Sequence, residues 1–255
     1  MRSIKQSTSL GICALAAATV VGFGSHLGRA NLITDVITGT GNQTKTASTF
    51  SGTVTLRFDT TAGTVSVTLD NTTSETYAAG DLMQGVSFNI ATGAGAGSLS
   101  SATYSSVSGN LINVASNGSY STAGAATLTG TNGVTGSSAW QLASTASSLT
   151  LKTSSADTVI GSPTGGNYSA ANGSIKGNGP HNPFLQDSPT FVLDLPGIVG
   201  ASNVDVTWAT IYYTTGGVQT TTRINGGTPL PEPAALSLLG LPAIGLLLRK
   251  RRTIC

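Results

Sequence analysis

Hydrophobic and polar positions alternate with a period of two most clearly between Gly52 and Asp70. Val54, Leu56 and Phe58 are separated by polar residues, and the same alternation resumes after Thr60–Gly63. A period of two sends successive side chains to opposite faces of a strand, and Gly63 suits a turn. The segment therefore predicts a β-hairpin with one buried face.

Four further segments have strand patterns: 85–91, 148–153, 190–195 and 203–213. In the last of these the apolar parity changes after Trp208, which predicts a β-bulge near Ala209. The predicted core is apolar or aromatic at every position and consists of Val54, Leu56, Phe58, Val65, Val67, Leu69, Phe88, Phe191, Leu193, Val204, Val206 and Trp208.

Two stretches are less regular. Residues 91–138 are dominated by small and polar residues, a composition that suits either short strands with long surface loops or a locally disordered insertion. Pro183 and Pro189 predict the two ends of a rigid loop, with Phe184 and Leu185 covering the core beneath it.

No segment between the two ends of the chain sustains a helical period, and Thr, Ser, Gly, Asn and Val are abundant. About 200 residues of short strands and glycine-rich turns predict an all-β ectodomain, a β-sandwich or jelly roll before a barrel or solenoid.

The N-terminus has the layout of a secretory signal peptide. Arg2 and Lys5 precede the uncharged stretch Leu10–Gly24, which is shorter than a membrane span of about 20 residues. Small residues at Gly28 and Ala30 predict that signal peptidase cleaves between Ala30 and Asn31. The alternative is a buried N-terminal helix. The predicted domains are thus the signal peptide, 1–30, the ectodomain, 31–228, and a C-terminal signal, 229–255.

The C-terminal signal has three parts in a fixed order. Pro231, Glu232 and Pro233 form an extended segment, because proline fixes φ and lacks an amide donor. Ala234–Leu248 follows without a charge and predicts a short apolar helix of about 22 Å, against about 30 Å of hydrocarbon in a bilayer. Four cations then predict a cytoplasmic end that halts translocation: Arg249, Lys250, Arg251 and Arg252.

This order resembles the PEP-CTERM sorting signal of Gram-negative bacteria that have exosortase, a membrane-embedded processing enzyme. The resemblance covers only the tail, where Pro242 and the last three residues depart from the usual pattern. It implies transient anchoring in the inner membrane, removal of the tail near Pro231–Pro233, and delivery to the cell surface or extracellular matrix. A permanent tail anchor is the alternative.

Charge limits the partners of the ectodomain. Residues 31–230 carry five Lys or Arg against nine Asp or Glu, a net charge of −4, and this balance argues against nucleic-acid binding. Both cysteines, Cys13 and Cys255, lie in the two end segments, so no disulfide is expected in the processed protein.

The sequence predicts no catalytic, cofactor or metal site. His181 stands without an accompanying hydrolase motif, and Asp187, Asp194 and Asp205 lack the spacing of a known Ca²⁺ loop. We therefore expect a non-enzymatic structural or adhesive surface protein, with extracellular polysaccharide as one possible partner. The alternatives are a ligand-, glycan- or ice-binding β protein, suggested by the pairs Thr53/Thr55 and Thr220/Thr222, and a secreted glycoside hydrolase using aspartates.

Overall fold

The structure is a computed structural model that describes residues 32–42, 49–93, 98–127, 140–153, 157–214 and 218–222. Within these residues the chain is all-β, and its helical segments are 3₁₀ turns of three residues. The strands are β1 Leu32–Asn42, β2 Thr49–Asp59, β3 Thr64–Asp70, β4 Met83–Thr92, β5 Thr103–Val114, β6 Tyr120–Ala125, β7 Trp140–Ser144, β8 Ser148–Thr153, β9 Val159–Ile160, β10 Phe184–Asp194, β11 Val204–Tyr213 and β12 Val218–Thr222.

The strands form two layers. Layer one has the order β1-β2-β3-β10-β5-β6, and layer two has the order β7-β8-β4-β11-β12, with antiparallel pairing throughout both. The short strand β9 joins them, since it pairs in parallel with β10 and meets β4 at Met83. All of the strands therefore belong to one hydrogen-bonded network folded into a sandwich-like arrangement.

The core lies between the layers. Phe58 of β2 meets Phe88 of β4 edge to face, with ring centres 6.3 Å apart. Trp140 of β7 packs on Phe191 of β10 with ring centres 4.7 Å apart. These pairs join the inner faces of opposite layers, so burial of the alternate apolar residues holds the layers together.

The predicted hairpin is confirmed as β2 and β3, joined by the turn at Thr60–Gly63. The segments 85–91, 148–153 and 203–213 are confirmed as β4, β8 and β11. Every predicted core residue except Trp208 is almost completely buried.

The prediction that Trp208 belongs to the core is wrong. The register of β11 shifts between Val206 and Trp208, so the bulge is at Thr207 and not near Ala209. The parity change comes before Trp208, which turns its half-buried side chain to the outer face while Ala209 is buried.

The proline segment is also different from the prediction. Pro183 and Pro189 do not bracket a loop, because β10 begins at Phe184 and runs through Pro189. The register shifts between Gln186 and Thr190, and Asp187 has φ 61°. A proline is tolerated in a strand at such an irregularity, where ladder hydrogen bonding is already interrupted. Phe184 and Leu185 are buried as expected.

Residues 91–138 contain two strands that were not predicted individually, the twelve-residue β5 and its partner β6. A second apolar cluster packs beside β5 and is covered by the segment 161–183, which contributes Tyr168, Ala171 and Ile175. Gly118 permits this contact: its carbonyl accepts from Tyr168 N–H at 2.8 Å, and a Cβ there would lie 2.6 Å from Ser169 Cα.

Candidate functional site: the outer face of layer two

The sorting motif Pro231–Pro233, the basic cluster Arg249–Arg252 and the cleavage position at Ala30 and Asn31 all lie outside the described residues. Both cysteines lie outside them as well. These assignments therefore stay predictions. In the part of the chain that the structure describes, no helix has the length and apolar character needed to cross a membrane.

The structure does not bring the three candidate Ca²⁺ ligands together. Asp187 and Asp194 lie on β10 in layer one, whereas Asp205 lies on β11 in layer two. Across the described residues, no group of three or more His, Cys, Asp or Glu side chains is placed to hold a metal ion. His181 is half-buried in a turn, where its amide donates to the Asn178 carbonyl at 3.1 Å.

A different pair of carboxylates comes together on layer one. Burial raises the pKa of Asp70, and the neighbouring charge of Asp187 raises that pKa further. Asp187 in turn accepts a hydrogen bond from Ser162 Oγ at 2.5 Å. The two aspartates are far apart in sequence, and only the pairing of β10 with β3 brings them near each other. Sequence reasoning therefore missed this pair.

Of the two threonine pairs suggested for ice binding, only Thr53/Thr55 can be compared with the structure, because the side chains of 218–222 are not described. Thr53 and Thr55 lie half-buried on β2. On the adjoining strands Thr68 and Thr190 bond to each other, Oγ1 to Oγ1, at 2.8 Å. These two hydroxyls are thus partly satisfied within the protein.

The outer face of layer two is the most distinctive polar surface. After the bulge at Thr207, the alternation of β11 places Ala209, Ile211 and Tyr213 on the inner side and Trp208, Thr210 and Tyr212 on the outer side, where Thr210 is nevertheless buried. Trp208 and Tyr212 are both half-buried and lie four residues apart, about 14 Å along the strand. Two aromatic side chains thus stand at separate points on one face.

Gly85 shapes the centre of this face. It pairs with Tyr212 on one side and with Lys152 on the other, so the three residues form one row across the sheet. A Cβ at Gly85 would lie 2.1 Å from the Leu151 carbonyl oxygen, and its φ of 148° also favours glycine. Because no side chain stands between them, Lys152 reaches across and places Nζ 4.4 Å from the centre of the Tyr212 ring.

Hydroxyl and amide groups occupy the neighbouring positions. Ser87 and Thr150 pair across β4 and β8, with their hydroxyl oxygens 2.9 Å apart, and of the two Ser87 is buried whereas Thr150 is half-buried. Gln141 on β7 pairs with Lys152 and is exposed. An open depression of about 250 Å³ is lined here by Gln141, Ala143, Thr150, Lys152 and Thr153.

The positive charge on this face is that of Lys152. Lys152 forms no ion pair with any carboxylate among the described residues. The outward carboxylate on β11 is Asp205, which pairs with Ala91. Ala91 lies six residues along β4 from Gly85, or about 20 Å, and Asp205 accepts from Asn203 Nδ2 at 2.9 Å.

This combination has the chemistry of a binding surface. Aromatic rings offer flat apolar area, and hydroxyl and amide groups fix the orientation of a polar ligand. The bulge at Thr207 and the glycine at position 85 are the two features of the chain that shape this face. The sequence pattern predicts the bulge two residues later, near Ala209. Gly85 cannot be recognised as part of a site until the register of the strands is known.

Neither a protein-family model nor a curated protein matches this chain.

Proposed function

We propose that this chain is an exported bacterial surface or extracellular-matrix protein, of structural or adhesive type, that attaches to polysaccharide through the outer face of layer two. The observation that carries the binding part is the placement of Trp208 and Tyr212 on one face, together with the exposed amide of Gln141 and the half-buried hydroxyl of Thr150. Sugar rings have apolar C–H faces and hydroxyl edges, so an aromatic surface with polar groups around it complements both parts.

The export part of the proposal is supported by the two ends of the sequence. The signal-peptide pattern over 1–30 directs the chain out of the cytoplasm, and the tail over 229–255 resembles the PEP-CTERM signal. An exosortase-type enzyme would act at Pro231–Pro233 while the apolar segment sits in the inner membrane.

The export proposal is tested by mass spectrometry of the surface-exposed protein from cells that have exosortase. We expect a product beginning at Asn31 and ending near Pro233. Glu232→Ala should leave an uncleaved precursor in the inner membrane. Surface protein that retains Arg249–Cys255 would show a permanent anchor instead.

The binding proposal is tested by affinity electrophoresis of the purified protein in gels that contain single polysaccharides, neutral and acidic. We expect retardation by at least one polymer and its loss in Trp208→Ala. Tyr77→Ala is the control, because Tyr77 is an aromatic residue that is 44% exposed and lies away from this face. No retardation by any polymer, or equal loss in both variants, would overturn the assignment.

A glycoside hydrolase is the second candidate, favoured by the proximity of Asp70 and Asp187. Glycoside hydrolases use two carboxyl groups, one of them held protonated, and the pKa of Asp70 is shifted in that direction. This candidate requires that the protein release reducing ends from a polysaccharide and that Asp70→Asn and Asp187→Asn each abolish the release. A protein that binds polymer without cleaving it excludes this candidate.

A further inference from the structure

The proposed polysaccharide site contains one fixed positive charge, and this charge points to a particular class of ligand. Resting on the proposed function, we propose that the outer face of layer two selects polysaccharides that carry carboxylate groups, with Lys152 as the residue that recognises the carboxylate. The occupant is thus an acidic polymer such as a polyuronate.

The Lys152 side chain is held in position by an aromatic ring. Its ammonium is held over the Tyr212 ring at 4.4 Å, and the residue between Lys152 and Tyr212 in this row, Gly85, has no side chain. A cation over an aromatic ring is stabilised while it stays charged. A lysine side chain free in solvent loses rotamer entropy when it binds a ligand, and the ring reduces that loss by holding the side chain in place beforehand.

The positive charge of Lys152 is complementary to the negative charge of an acidic polymer. The described part of the ectodomain is acidic overall, with three cations, Arg57, Lys152 and Lys176. Arg57 lies on β2 in layer one, and Lys176 donates to the Ser169 carbonyl at 2.8 Å. Lys152 is thus the cation of this face, and the outward carboxylate of the same face, Asp205, lies near the other end of β11 from Tyr212, so an acidic polymer is attracted to the part of the face around Lys152.

Two residues near Lys152 offer further contacts to the same polymer chain. Gln141 pairs with Lys152 directly across β7 and β8 and can donate from its amide to the second oxygen of a bound carboxylate. Trp208 stands about 14 Å along β11 from Tyr212 and offers a surface on which another sugar of the same chain stacks. One polymer chain can in this way contact a charge site and an apolar site together.

The experiment compares polygalacturonate with its fully methyl-esterified form at matched chain length, using biolayer interferometry on the intact purified protein. Esterification removes the charge and keeps the sugar backbone. We expect tighter binding to the acid form, and we expect added NaCl to weaken that binding by screening. Lys152→Gln should weaken binding to the acid form by about fivefold and remove most of the salt dependence, with the ester unaffected.

Lys176→Gln is the matched control, because it removes a cation away from this face and should change neither affinity. If the wild-type protein binds acid and ester equally, and Lys152→Gln changes neither, the carboxylate inference is wrong while the proposed function stands. If Trp208→Ala leaves all binding intact, or neither polymer binds, the proposed function fails together with the inference. Equal effects of Lys152→Gln and Lys176→Gln would show general charge attraction and would also overturn the inference.

Discussion

Lys152 and Tyr212 lie on strands that do not pair with each other, and they make contact across the residue that separates them. Each pairs with Gly85 of β4, and the ammonium stands 4.4 Å from the ring centre across a position that has no side chain. The contact and the close approach of β8 to Gly85 thus lie in the same row of the sheet.

Gly85→Ala should therefore be strongly destabilising. Its Cβ would lie 2.1 Å from the Leu151 carbonyl oxygen at a backbone φ of 148°. We expect a loss of at least about 2 kcal/mol in the free energy of unfolding, measured by urea denaturation. Gly124→Ala is the control, since Gly124 has φ 137° with nothing within 4 Å of the added Cβ. Equal losses in the two variants would mean that backbone strain alone, and not the approach of β8, decides the cost.

Phe58→Ala tests the packing between the layers. Phe58 is completely buried and meets Phe88 of the opposite layer. We expect a loss of about 3–5 kcal/mol in the free energy of unfolding. Trp208→Phe, on the outer face, should change stability by less than about 1 kcal/mol. A neutral effect of Phe58→Ala would contradict the sandwich-like core.

Tyr213→Phe should leave stability unchanged or increase it by up to about 1 kcal/mol. The Tyr213 hydroxyl is buried and has no hydrogen-bond partner among the described residues, so its removal ends a desolvation cost without losing a bond. Burial raises the pKa of this phenol, which keeps it neutral in the fold. The melting temperature of Tyr213→Phe is to be compared with that of Tyr213→Leu. The leucine variant also removes the ring contact with Phe50 and should be destabilising. A clear loss in Tyr213→Phe would reveal a partner for the hydroxyl.

Asp70→Asn should stabilise the protein at neutral pH. The pKa of Asp70 is raised in the folded state, so folding favours its protonated form, and that contribution is present below the ordinary pKa of 3.8 and is lost as pH rises through the folded value. An amide resembles the protonated acid and should flatten this pH dependence. Melting temperatures from pH 3 to pH 7 measure the effect. Asp187→Asn should reduce in part the contribution of Asp70 to the pH dependence, because the charge of Asp187 is the second cause of the raised pKa of Asp70. If Asp70→Asn instead becomes less stable relative to the wild-type protein as pH rises from 3 to 7, this expectation is wrong.

Alternation was sufficient to predict the strands with one continuous apolar face, as β2 and β3 show. It could not locate β5, because most of that strand's residues are exposed or half-buried and its apolar positions are widely spaced. Trp208 was misplaced for a related reason. A bulge reverses parity, and when it falls at Thr207 the apolar residue just after it faces outward.

The candidate site depends on register, which one sequence does not give. Gly85, Lys152 and Tyr212 are far apart along the chain, and only the pairing of β4 with β8 and β11 forms their row. The same holds for Asp70 and Asp187 on layer one. The sorting motif differs, because its residues are contiguous and local order alone defines it.

Quenching of Trp208 fluorescence directly measures whether a bound polysaccharide covers the outer face of layer two. The chain has two tryptophans, and Trp140 is fully buried while Trp208 is half-exposed, so a soluble collisional quencher such as acrylamide reaches mainly Trp208. We expect that polysaccharide retained by the protein protects this fluorescence from quenching, saturably and at the concentrations at which it binds. Binding of that polymer with quenching of Trp208 unchanged would contradict the claim that the outer face of layer two is the binding site.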